Sequence, residues 1–227
     1  MRKLAAVVLM LVAFGALAAD PDALWKIVDG KCVPAAQAGN PLKPCLSVDL
    51  ARGVAVLKDL NGAFQYLAIP TARITGIEDD AVLADRSFEV AWEARAAVEA
   101  RLGRGLPRDG VILAVNSANG RSQNQLHVHV DCLDATVRMT IASATIAEDW
   151  ATFPSPLAGH RYIARRVQGE SLAGINPFKL LAMKVGGPMG SWTLVVVGAP
   201  QSGFVLLAGN DNLAHGEELQ DHTCRGY

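Results

Sequence analysis

In the stretch RSQNQLHVHVDC, residues 121–132, two of the chain's five histidines stand one residue apart, at His127 and His129. Side chains alternate along a β-strand, so Gln125, His127 and His129 project from one face while Leu126, Val128 and Val130 enter a core on the other. Two imidazoles and an amide on one half-buried face are a costly way to pack a sheet, because each polar group taken from water needs a partner. They suit phosphoryl transfer, in which a neutral ring nitrogen attacks phosphorus, or metal binding. Histidines at this spacing can chelate zinc, but Asp131 makes a weak third ligand and Cys132 points to the opposite face. The remaining reading is structural: both rings are partly buried and satisfied by backbone groups.

The elements around this strand must position it. Residues 116–124 form a loop dense in hydrogen-bond donors, where Gly120 lets the backbone approach an anion. Residues 54–57 and 64–69 are apolar runs joined through Asp59-Leu60-Asn61-Gly62, and the Asn-Gly step predicts a hairpin. Val82, Leu83, Val90, Ala94, Ala97 and Val98 recur near helical spacing, which predicts the main helix over residues 80–102, stopped by Gly103. A strand at 111–115 follows. Upstream, a short helix over 21–30 leads into a loop between Cys32 and Cys45, and downstream a helix is predicted over 135–149. A strand over 159–166, a short helix over 177–184, a hairpin of 192–197 with 204–208 and a last helix over 212–220 complete the chain. The expectation is one α+β domain over residues 20–227, mainly an antiparallel sheet with flanking helices, and no internal sequence repeat.

With 227 residues, 51% apolar and 19% charged, the chain can bury a substantial core, and a net charge of -1 gives no bulk attraction to nucleic acid. Arg2 and Lys3 precede an uncharged run over residues 4–19, and Ala16-Leu17-Ala18 fits a small-residue cleavage site. Residues 1–19 therefore read as a signal peptide or an uncleaved N-terminal membrane anchor. Four cysteines in an exported protein allow three pairings. Cys32 and Cys45 flank a segment rich in Pro, Gly and Asn that a local crosslink can close, which leaves Cys132 with Cys224.

Gln-x-His-x-His behind an Asn/Ser/Gly/Gln loop resembles the catalytic strand of the histidine triad superfamily. The segments VLKDLNGAFQYLAIPTARITGIE, NSANGRSQNQLHVHVDC, GHRYIARRV and QDHTC look like the bacterial CDP-diacylglycerol pyrophosphatase family, a membrane-associated, periplasm-facing branch of it. The resemblance covers most of the chain after the leader. It implies a histidine-triad-like fold and cleavage of CDP-diacylglycerol to CMP and phosphatidate through a nucleotidyl-histidine on His127, with His129 donating to a phosphate oxygen. It implies no metal or other cofactor. Asn116, Ser122, Gln123 and Asn124 fall in the superfamily's phosphate-binding loop. His160 and Arg161 are expected to add positive charge for the leaving phosphatidate, and Lys58 and Arg73 to reach the same anion, although Lys58 by default is a solvated surface charge.

In one respect the chain departs from the family pattern: Gln125 stands where the first histidine is expected, and an amide hydrogen-bonds but cannot carry a positive charge. A shifted register, with His129 as nucleophile and Asp131 as third member, fits the flanking Gln123-Asn124 and Cys132 less well. His215 and His222 are expected to face solvent. The implied partners are a lipid-linked nucleotide and a membrane surface, with neither nucleic acid nor an obligate protein partner. The implied location is the inner membrane with the domain facing the periplasm, or the periplasm after leader cleavage. A general nucleotide-pyrophosphate hydrolase and a silent exported nucleotide-binding protein use the same residues.

Overall fold

A computed structural model describes residues 20–211 and 215–227, so the expected leader and residues 212–214 of the expected last helix lie outside the described residues. Strands β1 (Cys45–Asp49), β2 (Val54–Lys58), β3 (Tyr66–Pro70), β4 (Val111–Val115), β5 (Val128–Cys132), β6 (Ala151–Thr152), β7 (Ile163–Val167), β8 (Thr193–Gly198) and β9 (Phe204–Gly209) form one sheet. Its order is β1-β2-β3-β5-β4-β8-β9-β7-β6, and every neighbouring pair is antiparallel. With helices α1 (Ala23–Ile27), α2 (Val33–Gln37), α3 (Ser87–Leu102), α4 (Ala135–Ser143) and α5 (Pro177–Val185), this is an α+β fold.

Strand alternation divides the interior. Val54, Val56, Ala68, Leu113, Val128, Val130, Leu194, Val196 and Leu206 face one side, where Phe88, Ala91, Trp92 and Val98 of α3 close the main core. Phe88 also meets Phe178 of α5 at 4.9 Å between ring centroids, so both helices lie on that face. The other face carries two smaller clusters. Ala55, Leu57, Leu67 and Ile69 pack beneath Val28 and Cys32 of the N-terminal segment. Ile112, Ala114, Val195, Val197, Val205 and Leu207 pack beneath Val137 and Ile141 of α4, with Phe153, Leu157 and Leu219.

The topology repeats although the sequence does not. The hairpin β2-β3, the helix α3 and the hairpin β4-β5 stand in spatial order β2-β3-β5-β4, and β6-β7, α5 and β8-β9 stand in order β6-β7-β9-β8. The two ββαββ units join through β4 and β8, back to back.

Several boundaries differ from the sequence reading for local reasons. The helix over 80–102 is broken: Asp80–Ala84 is a short 3-10 turn, and Asp85 is extended, accepting a hydrogen bond from the Ser87 amide at 2.8 Å before α3 begins. The segment between Cys32 and Cys45 is not all loop, because the π-turn Val28–Cys32 runs straight into α2, with Pro34 tolerated in its first turn. The helix over 135–149 stops at Ser143, where the Thr140 and Ser143 hydroxyls turn back onto the Thr136 and Thr140 carbonyls. The last helix is reduced, among the described residues, to the 3-10 turn Gly216–Leu219. Edge strands β1 and β6 had no sequence signal strong enough to predict them. Both disulfides pair as expected, Cys32 with Cys45 and Cys132 with Cys224.

Candidate active site

On the face opposite α3, a cleft of about 710 Å³ opens over β2, β3 and β5. Its floor is the polar face of β5. Val128 and Val130 are held by the main core, so alternation turns His129 and Asp131 the other way, with His127 one step upstream. β5 is hydrogen-bonded on both sides: His129 lies opposite Leu67 of β3 and Ala114 of β4. A site on a doubly paired inner strand has little freedom to shift, which favours accurate placement of reacting atoms.

The two rings stand 4.8 Å apart at 65°. His127 Nδ1 lies 2.7 Å from the Gln125 carbonyl oxygen. A carbonyl can only accept, so Nδ1 carries the proton and Nε2 keeps its lone pair. Burial, with His129 close by, pushes the His127 imidazole down to about 4, and burial does the same to His129, so both rings are neutral at pH 7. Neither ring nitrogen of His129 has a hydrogen-bond partner among the described residues, and its Nε2 lies 3.4 Å from Glu217 Oε2. An unpartnered donor beside an uncharged nucleophilic nitrogen is an arrangement that waits for a ligand oxygen.

The other expected site residues divide into those that reach the cleft and those that do not. Asn116, Ser122, Gln123 and Lys58 line it. Gln123, however, is engaged by backbone: its Oε1 accepts from the Leu24 amide at 3.1 Å and its Nε2 donates to the Asp20 carbonyl at 2.9 Å. Asn124 is exposed, and its amide donates to the Pro21 carbonyl. These two residues therefore fasten the start of the described chain to the cleft rim. Gln125 is fully buried and donates to the Pro70 and Ala72 carbonyls at 3.0 and 2.8 Å. Arg73 pairs with Asp22 and stacks on Trp25, outside the cleft lining. His160 is held between Asp211 and Glu218, and Arg161 is exposed, so neither lines the cleft. Lys58 is not a free surface charge. Its ammonium donates to the Asp59 and Gly62 carbonyls at 2.7 and 2.9 Å, and burial lowers its pKa.

Sequence reasoning missed Asp59, Gln65, Glu217 and His222, all of which line the cleft. The expectation that His222 faces solvent is corrected: its Nδ1 donates to the fully buried Asp131 carboxylate at 2.7 Å. A signal was present, because the Cys132–Cys224 crosslink fixes residues adjoining both partners. The only group of three possible metal ligands among the described residues, Asp131, Cys132 and Cys224, has both sulfurs committed to that disulfide.

Comparison with known proteins gives the same direction. The family model described as CDP-diacylglycerol pyrophosphatase matches residues 19–226. A CDP-diacylglycerol pyrophosphatase from Yersinia pestis is 40% identical over 219 residues, covering 91% of this chain and 85% of that protein. With nearly the whole described chain matched, from the β2-β3 hairpin to the crosslinked tail, this protein belongs to the CDP-diacylglycerol pyrophosphatase family.

Proposed function

We propose that the chain is a hydrolase that splits CDP-diacylglycerol into CMP and phosphatidate, with His127 as the nucleophile. The observation that carries this reading is the His127 tautomer: the Gln125 carbonyl holds the proton on Nδ1, leaving Nε2 unprotonated at the wall of a cleft large enough for a nucleotide. Nε2 attacks the cytidylyl phosphorus and the bridging P–O bond breaks, releasing phosphatidate and leaving CMP on the ring. Water then cleaves the P–N bond, CMP departs, and the electron pair returns to Nε2. His129, neutral and unpartnered, donates to a non-bridging oxygen where negative charge concentrates. Asn116 and Ser122 supply neutral donors along the pyrophosphate.

The lipid half of the substrate has an apolar route. Leu24, Ile27, Pro44, Leu57 and Leu67 line the cleft on one side, and Leu60, wholly exposed at the β2-β3 tip, stands at its rim. Asp20, where the described chain begins, lines the same cleft, so an apolar leader retained as an anchor holds the mouth against a bilayer. Among the described residues no helix is long and apolar enough to cross a membrane. On this reading residues 1–19 are the anchor and the domain faces the periplasm.

Phosphorus NMR of the reaction tests the proposal. Purified protein should convert CDP-diacylglycerol to CMP and phosphatidate, at an unchanged rate with chelator, and turn over CDP-choline far more slowly. Equal rates on the two substrates would make it a general nucleotide-pyrophosphate hydrolase, and no turnover of either would make it a binding protein.

A further inference from the structure

Departure of phosphatidate is eased by a proton at the bridging oxygen and attack of water on the P–N bond by a base, and neither buried ring carries an extra proton to give, since both are neutral. The fixed charges that line the cleft among the described residues are also unfavourable to a pyrophosphate: Lys58 stands as the one lysine or arginine there, against Asp20, Asp59 and Glu217. One lining group remains. His222 sits on the C-terminal tail, half-exposed, with Nδ1 on the buried Asp131 carboxylate. The tail is stitched to the end of β5 by the Asp221 amide on the Cys132 carbonyl at 2.9 Å and by the Cys132–Cys224 disulfide. Its opposite side packs on the β2-β3 loop, where Gly62 is in the left-handed region at φ 70° and an added Cβ would meet His222 Nδ1 at 3.2 Å. The tail is thus fixed on both sides of His222, and the ring is held at Nδ1 by Asp131.

We propose that His222 is the general acid and base of this site, with Asp131 as its positioning residue. The inference rests on the reaction given above. As His127 Nε2 bonds to phosphorus, His222 Nε2–H gives its proton to the bridging oxygen and phosphatidate leaves. His222, now neutral, then takes a proton from the water that attacks the P–N bond, and CMP departs with both rings restored. The Asp131 hydrogen bond raises the His222 pKa, with Glu217 and Asp59 adding to the effect and burial opposing it. Burial raises the Asp131 carboxyl in turn, opposed by His222 and the Cys132 amide. Because both Asp131 oxygens accept, one from the Cys132 amide at 2.8 Å and one from His222 at 2.7 Å, as a carboxylate does, we place the shared proton on His222. The titratable groups that act on the ring from neighbouring elements are Asp131, Glu217, Asp59 and His129, and Lys58 lines the same cleft. The buried pair His127/His129 and the charged His222 are thus pushed in opposite directions, as separate nucleophile and acid roles require.

The test compares leaving groups in the full-length protein. His222→Gln should lower kcat on CDP-diacylglycerol by about 10²–10⁴-fold. On the 2,4-dinitrophenyl ester of CMP, whose leaving group is far more acidic than phosphatidate, the first-turnover burst of dinitrophenolate should stay within about tenfold of the parent. Asp131→Asn should fall between these limits and shift the basic limb of the kcat/KM pH profile downward. The inference is overturned if His222→Gln, with thermal unfolding unchanged, loses both substrates equally or loses neither. If the parent itself leaves CDP-diacylglycerol intact, the failure belongs to the proposed function instead.

Discussion

The two ββαββ units share one sheet and one plan, yet on the face opposite α3 and α5 the first presents polar side chains to a cleft and the second an apolar packing surface. In the first unit the outward face of β5 carries His129 and Asp131, whereas in the second the outward face of β9 carries Val205 and Leu207. The connections differ in the same sense. β4 reaches β5 through residues 116–127, which rim the cleft, while β8 turns into β9 over residues 199–203. In the second unit α4 lies across the face and seals it with Val137 and Ile141. In the first, the N-terminal segment covers only the outer strands and stops short of β5. A site arises here where one plan, used twice, is left uncovered on one side, and its polar strand face is tolerable because a ligand completes it.

The contrast is broken most sharply by His127→Ala. If the first unit is the catalytic one through this ring, kcat on CDP-diacylglycerol should fall by on the order of 10⁴-fold or more, with the melting temperature retained. Activity within tenfold of the parent would remove the nucleophile from the first unit. The reciprocal change lies in the second unit. Leu207→Ala, at a fully buried position, should cost about 2–5 kcal/mol of stability in denaturant unfolding while leaving kcat nearly unchanged. A large loss of kcat there, at a temperature where the variant is folded, would show that the sealed half takes part in the chemistry.

Acid should separate the units by a smaller margin. The folded-state values of His127 and His129 lie near 4, below the unfolded 6.5, so between these limits the unfolded chain binds more protons and stability falls as pH falls. The window closes below about pH 4, where both states are protonated. His222 acts in the opposite sense, adding stability below 6.5 that is lost as pH rises through its raised value. Removing one buried ring, as in His129→Asn, should flatten the decline between pH 6.5 and 4 by up to about 3 kcal/mol in parallel denaturant titrations. An unchanged slope would mean that the rings are hydrated. The acid limb of kcat/KM should accordingly lie near 4, well below that of a free imidazole.

How much of this was legible in the sequence follows from the range of the forces involved. The strand with His127 and His129 was readable because alternation is local, and the β2-β3 hairpin because Asn61-Gly62 sets its own backbone. Both disulfides were readable because the loop between Cys32 and Cys45 pairs these two and leaves one partner each for Cys132 and Cys224. Glu217 was not, because it reaches the cleft from the C-terminal segment through long-range packing that no periodicity records, and for His222 the Cys132–Cys224 pairing was the one signal. The roles expected of Arg73 and His160 rested on charge within segments that resemble the family, and the structure pairs each with nearby carboxylates instead. Gln123 and Asn124 were read as phosphate donors from their loop, but they bind the segment that begins at Asp20, a partner visible only in three dimensions.

The smallest effect is expected at Gln125, where the resemblance to the histidine triad predicts a histidine. Its amide donates twice, to the Pro70 and Ala72 carbonyls, and its carbonyl holds His127 Nδ1, so its side chain anchors the approach to β5 while its backbone fixes the tautomer. The backbone role survives any substitution. A histidine there can donate to one of the two carbonyls and leaves the other unpaired, so Gln125→His should lower stability by about 1–3 kcal/mol and change kcat less than tenfold. A gain of a hundredfold or more would show that a protonated ring at this position is worth more than the second hydrogen bond. The first unit would then be a weakened site as well, and its difference from the sealed second unit one of degree.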